Sequence, residues 1–408
     1  MKTKIAGLIQ SKISRSSFLR RILLVFGVGT FMEGCKKEEI PEKEEEIPGN
    51  GDLTKVYLVQ NGTVKENINK LLELIGGISK YIDPSDVVVL KCNGQWPNQG
   101  YTNTECIKYV IDAILAIPGF SGEVLICDNI QGVPDDSSRG FHASVENRKN
   151  NWADHNWTSL AAEYQSKGNP VAAYRWQNVY VGPTITGPTD GTGWVRDFFS
   201  FHDMTVYLSY PVFESPITAG RIIDMKKGVW ENGVYTKRRV RTVFMPTLNN
   251  HGNGHEDYAG ITSALKCFFG ATEILAGEDE TIMHEGQKVH HIHSATYTKH
   301  KSYYAGELAA RFIKTIYSPV LYITCAIWSG YESRTGKAVE TKTVIACENP
   351  ATLDYVSCKH VISPHAEWLN PDKDNNTRKQ ILGCVENGIG TIDPKNFEII
   401  SYDYHSPN

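Results

Sequence analysis

The stretches DVVVLKC (86–92) and EVLICD (123–128), with TECIKYVIDAILA (104–116) between them, decide the fold. The two outer stretches are apolar without period-two alternation, the pattern of strands buried on both faces. The middle stretch has room for about three helical turns. The same unit recurs outward. Further candidate strands are 54–60 (TKVYLVQ), 204–210 (MTVYLSY), 240–246 (VRTVFMP), 320–327 (VLYITCAI) and 341–347 (TKTVIAC). Candidate helices are 63–80, 157–167, 257–269, 303–317, 350–362 and 374–388. In the first, Val64, Ile68, Leu71, Leu72 and Ile75 recur at helical spacing. The alternation predicts an α/β fold: a mostly parallel central sheet with helices on both faces. Residues 130–200, rich in Gly, Pro, Asn, Asp and Trp, break the rhythm. They read as a long irregular loop region inserted in a single α/β domain spanning 53–408.

The 408 residues are 41% hydrophobic and 22% charged, an ordinary globular balance. A net charge of −4 offers no basic face, so no nucleic-acid partner is expected.

The N-terminus reads as an address. Lys2, Lys4, Lys12, Arg15, Arg20 and Arg21 precede an apolar run, Ile22 to Met32, of 11 residues. A membrane span needs about 20, so residues 1–34 read as a signal peptide. Gly34-Cys35 after the run resembles a bacterial lipobox, with Glu33 where small residues are preferred. That resemblance implies lipidation of Cys35. Residues 35–52 hold KKEEIPEKEEEIPGN, too charged to bury a core, and form an acidic tether. A lipidated Cys followed by such a tether resembles the surface-export signal of Bacteroidetes lipoproteins. It implies a chain exported and lipid-anchored to the outer membrane, on its periplasmic or cell-surface face. Ser14 to Arg20 resembles a twin-arginine export motif with Ser16 in place of one arginine. The eight further cysteines contain no CxxC pair. They leave room for one or two disulfides, and no iron–sulfur cluster is expected.

The densest polar group is Asn249, Asn250, His251, Asn253, His255, Glu256 and Asp257, interleaved with Gly252 and Gly254. It follows a candidate strand, and α/β sheets collect ligands at strand carboxyl ends. His251 and His255 are candidate general base and acid, since imidazole titrates near neutrality. Lys266 shares a helical face with Ala259, Thr262 and Ser263, where it is a candidate base or carboxylate holder. The alternative for this segment is a capped helix start behind a Gly-rich turn. Lys91 and Asn93 end one strand and Asp128 the next, so all three are candidate substrate-binding residues. HxH at His291 and His293 places two imidazoles on one face if the segment is extended, a candidate metal pair. Trp96 and Trp194, with Trp152, Trp157, Trp176 and Trp230, suit a carbohydrate cleft, because flat apolar rings meet sugar C–H faces. The alternative is that they pin long loops to the body. Arg139 and Arg196 are candidates to hold a substrate carboxylate. No P-loop, GxGxxG, GxSxG or HExxH motif is present.

Three segments in order resemble the domain-of-unknown-function 362 family. They are VVVLKCN (87–93), VFMPTLNNHGNGHEDYAGITSALKCFFG (243–270), and LYITCAIWSGYESRTG with VIACENPATLDYV (321–336, 344–356). The resemblance places Lys91, Asn93, His251, Lys266, Gly270, Pro350 and Asp354 on family motif positions and implies an α/β fold. The chain departs from the pattern at Asn249, Cys267 and Thr324, so no family cofactor or reaction is carried over.

The reading is an exported lipoprotein enzyme acting on a small-molecule or oligosaccharide substrate. It would be a lyase, dehydratase or epimerase abstracting a proton next to the carboxylate of an acidic sugar in polysaccharide degradation. His251 or Lys266 is the base and His255 the acid. The alternatives are a metal- or redox-cofactor protein, with a divalent metal as the candidate cofactor, and a non-catalytic glycan-binding lipoprotein.

Overall fold

Eight strands build the central sheet. In chain order they are β1 (Thr54–Gln60), β2 (Val87–Cys92), β3 (Glu123–Asp128), β4 (Val171–Arg175), β5 (Val240–Met245), β6 (Leu321–Ser329), β7 (Val339–Cys347) and β8 (Phe397–Asp403). Across the sheet they run β8-β1-β7-β6-β5-β2-β3-β4. Every pairing is parallel except the two made by β7. The computed structural model describes residues 53–129, 140–145, 149–176, 184–252, 260–274, 281–299 and 301–406. The chain divides into two units, Met1–Gly51 and Asp52–Asn408. The leader, the tether and Cys35 lie outside the described residues. Among those described, no helix is long and apolar enough to cross a membrane.

Every residue of β2 and β3 is buried. Successive residues feed opposite sides: Val87 and Val89 belong to one hydrophobic cluster, Val88 and Leu90 to the other. On the second side lie α1 (Val64–Leu74), α2 (Thr104–Leu115) and α3 (Trp157–Ser166), through Ile68, Ile107 and Leu160. The first side takes α4 (Ala264–Cys267), α6 (Ser302–Thr315), α7 (Pro350–Ser357) and α8 (Asn376–Val385), through Leu265, Leu308, Leu353 and Ile381. Between α4 and α6 lies α5 (Ile292–Lys299). Caps fix the helix starts. Thr63 and Glu66 close a capping box on α1, and Asn103 caps α2.

Three sequence expectations need correction. The stretch 204–210 is not in the central sheet. It belongs to Met204–Glu214 in a separate mixed sheet, paired antiparallel along its length with Gly193–Phe201 and in parallel with Gln287–His290. Gly193–Phe201 and Met204–Glu214 join at a tight turn with His202 at φ 51°, and such a short connection favours local antiparallel pairing. Accordingly the 130–200 region is not all irregular: it supplies that strand, α3 and the edge strand β4. Helix 257–269 shrinks to α4, because Ile261–Thr262 pairs as a short strand with Asn249–Asn250. Residues 253–259 lie outside the described residues, and His255 with them.

Trp157, Trp176 and Trp194 are core side chains, 0–1% exposed. Trp194, expected at a sugar cleft, therefore packs in the first-side cluster instead. Truncating a buried aromatic of this size costs about 3–5 kcal/mol. Trp194→Ala should lower unfolding stability by that order in a denaturant titration. A change below about 1 kcal/mol would contradict the assignment of Trp194 to the core.

Candidate functional site

Because β2, β3, β5 and β6 run in parallel, their carboxyl ends open on one edge of the sheet, where α/β folds place ligands. A cleft lies there. Six residues singled out from the sequence line it together: Lys91, Asn93, Trp96, Asp128, His251 and Lys266. Arg334, on the loop after β6, joins them. The free space at its centre is about 50 Å³, enough for a few water-sized groups.

The floor is a buried ion pair. Lys91 Nζ stands 3.1 Å from Asp128 Oδ1, and both side chains are almost inaccessible. Asp128 Oδ2 accepts a 2.7 Å hydrogen bond from the Gly94 N–H, tying β3 to the loop after β2. Burial alone would push the Lys91 ammonium down, but Asp128 and Cys267 beside it hold its pKa above the ordinary lysine value. The Cys267 thiol is itself pushed up to about 11, chiefly by burial, and so stays protonated. Asn93 is partly structural. Its side-chain oxygen accepts from the Thr247 N–H at 3.2 Å.

His251 forms the wall. Its Nδ1 lies 3.0 Å from Thr262 Oγ1. Arg334 donates to the His251 backbone carbonyl and stands 3.5 Å from Nε2. A guanidinium only donates, so this arrangement favours Nδ1–H to Thr262 and leaves the lone pair on Nε2. Burial pushes the imidazole well below its ordinary value, and the Lys266 and Arg334 cations and His293 push the same way. His251 is therefore neutral at neutral pH. Arg334 lies over the Trp96 ring at 4.8 Å, and Lys266 Nζ over the Phe269 ring at 4.0 Å.

Lys266 is placed by a carboxylate from another element. Asp354, on α7, is fully buried and accepts from the Ala264 and Leu265 N–H groups at 2.8 and 2.9 Å. It thus satisfies the first donors of α4, whose own cap residue Ser263 makes no side-chain cap. Asn249 and Asn250 are spent on structure as well. Asn249 binds the Gln99 carbonyl and the Gly330 N–H, and Asn250 binds the Glu332 carbonyl.

Other expected residues lie elsewhere. Arg196 makes a two-pronged ion pair with Glu273, at 2.7 and 2.6 Å, in the second sheet and is not part of the cleft lining. Arg139, like His255, lies outside the described residues. The His291–His293 segment is not extended. His291 Nδ1 accepts from the His293 and Ser294 N–H groups and so acts as a cap at the start of α5. With Nδ1 so used, the ring centroids sit 6.3 Å apart. His293 is buried behind the cleft, near Lys266 and Arg334, which with burial hold it well below its ordinary pKa. Among the described residues no three His, Cys, Asp or Glu side chains converge on a metal position. The eight described cysteines are all buried and unbridged.

Set against protein-family models, curated proteins and solved structures, the chain matches none of them.

Two outcomes follow from this geometry. A Cβ on Gly270 would fall 2.4 Å from Asp128 Oδ1 and 2.6 Å from Lys91 Nζ. Both groups are buried and paired, so neither can swing away cheaply. Gly270→Ala should lower unfolding stability by about 1–3 kcal/mol, and an unchanged melting temperature would contradict the packing. Asp354 is pushed up to about 7 by burial, against the pull of the Leu265 N–H, Ser263 and the Ala264 N–H. With its folded pKa above the unfolded one, its contribution is present below the ordinary carboxylate value and lost as pH rises through about 7. Melting from pH 4 to 8 should fall less steeply in Asp354→Asn than in the wild type. Equal slopes would contradict the assignment.

Proposed function

We propose that this chain is an exported lipoprotein enzyme that abstracts a proton next to the carboxylate of an acidic sugar or oligosaccharide. Elimination, dehydration or epimerisation would follow, as part of polysaccharide degradation. One observation carries the reading: a histidine held neutral lines a strand-end cleft together with a lysine and an arginine. A carboxylate seated by Lys266 and Arg334 has its negative charge neutralised, which acidifies the adjacent C–H. His251 Nε2, unprotonated at neutral pH, takes that proton. As negative charge builds on the carboxylate oxygens, the two cations hold it more strongly than in the ground state, which is the condition for acceleration. Trp96, stacked under Arg334, is the aromatic surface available to a sugar ring. The leader, Cys35 and the acidic tether support the address, and the ordered 362-type segments support kinship with that family.

The test is turnover on uronate-containing oligosaccharides, read as an unsaturated product or as solvent deuterium entering the sugar. His251→Ala should lower kcat by about 10²–10⁴-fold. Lys266→Met should lower kcat as well as raise KM, because the cation both seats the carboxylate and holds the charge that builds in the transition state. A base with a depressed pKa stays deprotonated into acid, so the acid limb of kcat/KM should lie below the ordinary histidine range. Full activity of His251→Ala on every such substrate would overturn the proposal.

A further inference from the structure

We infer that the ammonium of Lys91 is a second ligand-binding position in this cleft, one that takes an anionic oxygen of the substrate, with Asp128 as its positioning residue. The inference rests on the proton-abstraction reading above and adds to it a second anionic or strongly polarised oxygen that the substrate must present. A lysine ammonium has three N–H donors in a compact head. Among the described residues its polar neighbours are one carboxylate oxygen, Asp128 Oδ1 at 3.1 Å, and the Cys267 thiol, a weak acceptor. At least one donor is therefore left over, on a group that lines the cleft. The position is built rather than incidental. Lys91 has 0% exposure, so its direction is set by packing and not by solvent. Asp128 is itself fixed by the Gly94 N–H, and the missing side chain at Gly270 leaves the space that the pair fills. A buried ammonium kept charged by a fixed carboxylate is preorganised for a negative oxygen and needs no reorientation when that charge arrives. Holding the oxygen requires no proton transfer from Lys91. The substrate class that fits is a hydroxy acid or uronate: its carboxylate goes to Lys266 and Arg334, and a neighbouring oxygen goes to Lys91.

The experiment is calorimetric titration of the full folded chain with D-glucuronate, alongside thermal melting of each variant. Lys91→Met should weaken binding at least about tenfold, and Lys91→Arg should restore part of it by keeping the charge. Removing one partner of a buried pair can unfold a protein. The double variant Lys91→Met/Asp128→Asn removes both charges, and it too should lose binding while remaining folded. Asp128→Asn alone should bind more weakly than the wild type at neutral pH and regain affinity as pH is lowered, because without the carboxylate burial pulls the Lys91 pKa down. Wild-type affinity in Lys91→Met or in the double variant would overturn the inference and leave the proton-abstraction reading intact. Loss of binding in Lys266→Met, but not in the Lys91 variants, would do the same. No binding of glucuronate by the wild type would overturn both.

Discussion

A lysine and an aspartate, 3.1 Å apart and shut away from water, join the ends of two parallel strands, and the rest of the site is arranged around them. An isolated charge could not be kept there, because its desolvation costs several kcal/mol. The pair therefore requires β2 and β3 in their observed register, the Gly94 N–H on the far carboxylate oxygen, and a residue without a side chain at 270. Each requirement belongs to a different segment. Together they fix the loop after β2, which carries Trp96, against the turn after α4.

The same logic places the other cations. Lys266 sits on a helix of one turn that has little stability of its own. The Asp354 carboxylate on two of its N–H groups ties that turn to α7, so the lysine is positioned from across the core. Arg334 is held over Trp96 and against the His251 carbonyl. The histidine that shares this lining is kept neutral chiefly by burial, with the Lys266 and Arg334 charges acting in the same direction. In the proposed reaction, acid binding and the protonation of the base would then depend on the same two cations.

Much of this was legible in the sequence, for identifiable reasons. The buried strands β2, β3 and β6 announce themselves as unbroken apolar runs, and their parallel order sends Lys91, Asp128 and the residues after Met245 to one edge. β4 and β8 were missed because edge strands need no long apolar run: VAAYR and FEIISYD read as neither strand nor helix. Of the second sheet only 204–210 reads as a strand, and it was assigned to the central sheet because its apolar run looks like the others; its partner Gly193–Phe201 sits at the end of a stretch of loop-like composition. Trp194 and Arg196 were misassigned to the site for a related reason. Composition marks an aromatic or an arginine as notable but does not say whether its partner is a ligand or, as here, the core and Glu273. Arg334 carries no motif at all; only its place just past the carboxyl end of β6 could have pointed to it. His291 looked like a metal ligand because spacing alone cannot distinguish an extended HxH from one that caps a helix.

A crystal structure of the protein soaked with D-glucuronate tests the central claim most directly. The sugar carboxylate should lie within hydrogen-bonding distance of Lys266 Nζ and the Arg334 guanidinium, with the adjacent C–H directed at His251 Nε2. A sugar bound away from this cleft, or lying in it with its carboxylate turned from both cations, would contradict it.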